Sequence, residues 1–168
     1  MIALKIHSIK DFMSKLLIDN DFDAFWLSEA SITTYVTFTI DGGLHKEFFD
    51  SSLADSLHLE ERNYTLWKEV KPFCYSIVKG KHTPLHFKIV FLLSQNNMKE
   101  LLLQSQLNYT TDDIYGMFLN FQYDGTKLYC TTGTSLKVFS MDKSLDYAWD
   151  EMVLKFFNQK EIHFEKVD

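Results

Sequence analysis

A chain of 168 residues is long enough to bury about 70% of the surface its unfolded form exposes, so it can carry its own core. With 46% hydrophobic and 24% charged residues, 6 glycines, 2 prolines and no apolar run near the roughly 20 residues that span a bilayer, the composition excludes low-complexity chains and membrane-spanning helices. A formal charge of −6 opposes the phosphate backbone and argues against duplex nucleic acid as a partner.

In chain order, Ile2, Leu4 and Ile6 alternate with Ala3, Lys5 and His7, which predicts a first strand. This start is too polar for a secretory signal. Ser8 stands where a helix cap belongs, and Ile9, Phe12, Met13, Leu16 and Leu17 then fall on one helical face, with Asp11 in its first turn. Residues 24–28 read as a short strand. Ile32, Val36, Phe38 and Ile40 alternate with Thr33, Tyr35, Thr37 and Thr39, which predicts a half-buried strand. Asp41-Gly42-Gly43 carries hairpin-turn chemistry, so residues 44–49 are expected to return as its partner, and 50–62 to form the longest loop.

Trp67, Val70, Phe73, Cys74, Ile77 and Val78 predict a helix that Pro72 interrupts or opens and Gly80 ends. Leu85 to Leu93 are apolar on both faces, as in a central strand, with Phe87, Ile89 and Phe91 inward. A helix over 95–106 follows. The last third reads as a meander: 117–123, a turn at Asp124-Gly125, 127–132, a turn at Gly133, then 135–140. Asp142 or Ser144 starts a last helix with the stripe Leu145, Ala148, Trp149, Met152, Val153 and Phe156, and 161–167 adds an edge strand. The expectation is one α+β domain over residues 1–168. Its sheet is mostly antiparallel, built from hairpins and a C-terminal meander, with about four helices on one face.

No familiar catalytic or cofactor pattern is present. The six histidines form no HExxH and the two cysteines no CxxC; Pro84 keeps His82 and His86 off a common helical face. There is no GxGxxG, no GxxxxGK[ST] and no GxSxG. No metal, cofactor or catalytic residue is therefore expected. Cys74 and Cys130 lie in apolar surroundings and read as two buried thiols rather than a disulfide, which suits a cytoplasmic protein. Paired carboxylates such as Asp112/Asp113 sit at loops or helix starts. Glu29 differs, since a bulge beside Ala30-Ser31 could aim it inward. An enzyme built from sequence-distant residues, Glu29 with His82 or His86, is the alternative reading.

One window stands out. Residues 70–99 hold five of the chain's 17 basic residues, His82 and His86, and none of its 23 acidic ones. Either the fold brings acids from elsewhere to these lysines, or they form an anion-binding patch of Lys79, Lys81, His82, His86 and Lys88. The partner would be a small anionic ligand or an acidic protein surface, and the chain a non-catalytic binding module, with homo-oligomerisation open. The threonine-rich face Thr33, Tyr35, Thr37, Thr39 fits cross-strand packing on a wet sheet.

Three stretches carry a resemblance. They are Phe25-Trp26-Leu27-Ser28-Glu29-Ala30-Ser31-Ile32 with Thr37-Phe38-Thr39-Ile40-Asp41-Gly42, Lys79-Gly80-Lys81-His82-Thr83-Pro84-Leu85, and Tyr123-Asp124-Gly125 with Cys130-Thr131-Thr132-Gly133-Thr134-Ser135 and Ala148-Trp149-Asp150. Together they resemble a family of uncharacterised proteins from clostridial, largely gut-dwelling bacteria. The resemblance implies a bacterial cytoplasmic protein and brings no activity or functional residue with it.

Overall fold

The computed structural model describes residues 1–168. In chain order it contains β1 (Ala3–Ile6), α1 (Ile9–Leu17), β2 (Trp26–Thr33), β3 (Thr37–Asp41), α2 (Ser51–Ser56), β4 (Thr65–Leu66), α3 (Trp67–Val78), β5 (His86–Leu92), α4 (Gln95–Gln104), β6 (Ile114–Tyr123), β7 (Leu128–Leu136), α5 (Ser144–Gln159) and β8 (Phe164–Val167). The strands form one sheet in the order β3-β2-β5-β6-β7-β1-β8, with β4 also beside β2. Every pairing is antiparallel. The fold is therefore α+β, and no helix is long and apolar enough to cross a membrane.

β5 lies between β2 and β6, as its two apolar faces demand. Its inward residues Phe87, Ile89 and Phe91 meet Leu119 and Phe121 of β6 in one core. The helices close that side. α1 contributes Phe12, Leu16 and Leu17, α3 Trp67 and Cys74, α4 Met98, Leu101 and Leu102, and α5 Trp149, Val153 and Phe157. Both buried indoles have partners: Trp67 Nε1 donates to the Leu16 carbonyl at 2.8 Å and Trp149 Nε1 to that of Phe118 at 2.9 Å. Without those acceptors, burying an indole N–H would be costly.

Several local readings are corrected. The hairpin joining β2 and β3 turns at residues 34–36, where Thr34 N–H donates to the Val36 carbonyl, and not at Asp41-Gly42-Gly43. Residues 44–49 make no return strand; 46–48 form a short 3₁₀ turn. The expected loop over 50–62 contains α2, whose cap is made by Asp50 Oδ1 accepting from the Leu53 amide at 2.7 Å. β7 runs straight through Gly133 to Leu136, so there is no turn at 133 and no strand over 135–140. α3 starts at Trp67 and keeps Pro72 in its second turn. Pro72 and Lys68, whose carbonyl it leaves unbonded, are both exposed. Phe73 is exposed rather than on the buried stripe. Ser8 does sit at the start of α1, but with φ 52 and no capping bond from its side chain.

Candidate functional site

The segment 79–84 carries the chain from α3 on the helical layer down to β5. Gly80 takes φ 136, which admits little but glycine, and Pro84 is buried at the strand's start. Leu85 N–H then donates to the Thr33 carbonyl at 2.8 Å and fixes the segment to β2. Between this segment, the end of α3 and the side of α1 lies a groove of about 500 Å³. Leu17 and Phe87 form its floor, and the Phe87 ring stacks on Tyr123 at 5.4 Å. The Tyr123 hydroxyl donates to the Gly125 carbonyl at 2.8 Å, so the floor is apolar in chemistry as well as shape.

Three basic side chains, Lys10, Lys79 and His82, line this groove and no carboxylate does. Neither Lys10 nor Lys79 nor the neighbouring Lys81 lies within 4.0 Å of an acid. Elsewhere in the acid-free window the fold does supply acids. Lys71 meets Asp23 at 2.6 Å and Lys88 meets Glu29 at 2.9 Å.

The five residues singled out by sequence are thus divided. Lys79 and His82 share the groove, and Lys81 is exposed on the same loop. His86 and Lys88 point to the opposite face of the sheet, since Phe87 between them faces the core. Glu29 is on that face too, at the bulge between Leu27 and Glu29, and its register partner is Val90, whereas His86 stands opposite Thr33. Four residues of strand separate the two positions, about 13 Å. Glu29 and His86 are therefore not juxtaposed, and His82 lines the groove on the helical side. Sequence reasoning missed Lys10. It sits between Ile9 and Met13, which read as an ordinary core stripe but are only half-buried here.

Other polar features are committed elsewhere. Arg62, the only arginine, is buried and makes a two-pronged bond to Glu69 at 2.5 and 3.0 Å. Partial burial alone would raise the Glu69 pKa. The guanidinium and the Leu66 amide overcome it and hold the carboxyl below its ordinary value. A depression of about 860 Å³ beside them has Asp23 and Glu61 in its lining together with His58, Arg62, Lys68 and Lys99, so acids and bases share it. Asp150 is buried, accepting from Thr132 Oγ1 with the Met1 amine at 3.0 Å. No three His, Cys, Asp or Glu side chains gather as a metal site.

The model of a family of unknown function (DUF5721) matches residues 15–165, and the chain belongs to that family. No curated protein and no solved structure matches the chain.

Proposed function

We propose that this family member is a non-catalytic binding module whose ligand is a small anion held by the loop 79–84, with Lys79 and His82 as the first contacts. One observation carries the reading: a groove rimmed by Lys10, Lys79 and His82 has no carboxylate in its lining. Cations without partners in a concavity raise the local concentration of anions, and a ligand that enters is screened from the acidic remainder of the chain beyond about 8–10 Å. Lys81 adds charge on the same loop. A concave site suits a small molecule better than a flat protein surface. Two buried thiols suit a reducing, cytoplasmic compartment.

A thermal-shift series with phosphate, sulfate and nucleotides at low salt tests this. At about a hundred times its Kd an anion stabilises by about 2.7 kcal/mol, which raises the Tm of a chain this size by roughly 5–10 °C. The Lys79→Ala/Lys81→Ala variant is expected to lose most of that rise. Equal shifts in both proteins, or none in either, sink the reading.

A further inference from the structure

We infer that the anion this groove takes is amphipathic: a monomeric, single-chain carboxylate with its head at Lys79 and His82 and its hydrocarbon along α1. The inference deepens the anion-binding reading and rests on it. Its starting point is the mismatch between the rim and the floor. The rim offers unpaired cations, while the floor is Leu17, the stacked Phe87 and Tyr123, and Met13 from α1. An inorganic anion would use the rim and leave the floor wet. A neutral hydrocarbon would cover the floor and leave the cations unanswered.

One molecule with a charged head and an apolar body satisfies both. The surroundings agree. Ile18, at the groove's edge, is 63% exposed and Tyr75 is 42% exposed, so a chain lying along them removes apolar surface from water. The only tyrosine on the floor already spends its proton on the Gly125 carbonyl, so it has none left to donate to a polar ligand body. The volume of about 500 Å³ falls in the range of small-ligand sites. Charge complementarity fixes the sign of the head, because the lining holds three basic groups and no acid.

The test is calorimetric titration of the full chain at low salt with acetate, octanoate, decanoate and decanol, each below its micelle concentration. Because the groove is open to one side, each added methylene is expected to tighten carboxylate binding about two- to fourfold, the upper figure being full burial. Decanol should bind about tenfold more weakly than decanoate. Lys79→Ala/His82→Ala should bring decanoate down to the alcohol's level. Ile18→Asn, at an exposed site that folding tolerates, should weaken decanoate about threefold and leave phosphate unchanged. Decanoate binding no tighter than acetate, with phosphate still bound, overturns the amphipathic ligand and spares the anion site. Decanol matching decanoate overturns the amphipathic carboxylate, and if phosphate fails to bind as well the anion site falls with it. Binding to anionic phospholipid vesicles without binding to monomeric carboxylates makes a membrane surface the occupant, and the inference is wrong.

Discussion

A Cβ placed on Gly42 would stand 1.7 Å from the Leu27 carbonyl oxygen, a distance no side chain survives. Gly42 is held there by its N–H donating to the Ser28 carbonyl at 2.8 Å, against the bulge of β2, while its own carbonyl accepts from Thr65. Gly133 is the opposite case: a Cβ there meets nothing within 4 Å, and the residue lies inside β7. Gly42→Ala is therefore expected to cost about 3 kcal/mol through forced backbone displacement, whereas Gly133→Ala should be neutral or stabilise by up to about 1 kcal/mol. Urea melts of the two variants decide it, and equal effects would refute the account. Both glycines read as turns in the sequence because glycine only advertises permission. What uses the permission, the Leu27 carbonyl in one case and plain strand in the other, is supplied by residues far along the chain. The lysines behave likewise. Lys79 and His82 were legible by the lack of acids around them, but the Glu29 that neutralises Lys88 arrives from a neighbouring strand.

At the scale of elements, periodicity carried most of the information and stops carried little. The alternation of Phe87, Ile89 and Phe91 located the core face of β5, and the stripe from Leu145 to Phe156 located α5. The ends of α4 and α5 were harder to see. Each closes with a left-handed residue that is not glycine: Gln106 at φ 54 and Glu161 at φ 56. In each the next amide reaches back to the helix, Leu107 to the Leu102 carbonyl at 3.1 Å and Ile162 to that of Phe157 at 2.8 Å. These are the bonds of a helix stop normally signalled by glycine. Replacing Gln106 or Glu161 by glycine relieves the clash between Cβ and backbone, and each change is expected to stabilise by about 0.5–1 kcal/mol. Chemical denaturation reads this directly, and a loss of stability in both variants would count against it. The groove falls between elements in the same way. Lys10 and Met13 belong to α1, Lys79 and His82 to the far side of α3, and no spacing rule connects them.

Over the whole molecule, the chain's order in the sheet makes the fold a single unit. β1 is inserted between β7 and β8, and β2 pairs with β5 across α2, β4 and α3, so no cut through the sequence yields two self-contained pieces. The hairpin β6-β7 was readable from its turn at Asp124-Gly125; the insertion of β1 was not, because nothing local to residues 3–6 names its partners. We expect all 168 residues to unfold in one cooperative step, and the two thiols supply the test. Cys74 lies on α3 beneath β2, while Cys130 is on β7 opposite Leu4. Burial raises the Cys74 pKa to about 11 and holds that of Cys130 well above its ordinary value. Only the thiolate attacks a labelling reagent, so at pH 8 both sulfurs are protected by low ionisation and by lack of access. Labelling then requires opening, and the opening free energy measured at each sulfur reports the stability of its own region. Peptide mass spectrometry of thiol labelling through a urea series should give one protection energy for both, equal to the global value. If Cys74 reacts at lower urea than Cys130, α3 opens by itself and the groove it borders is a mobile wall rather than part of a rigid frame.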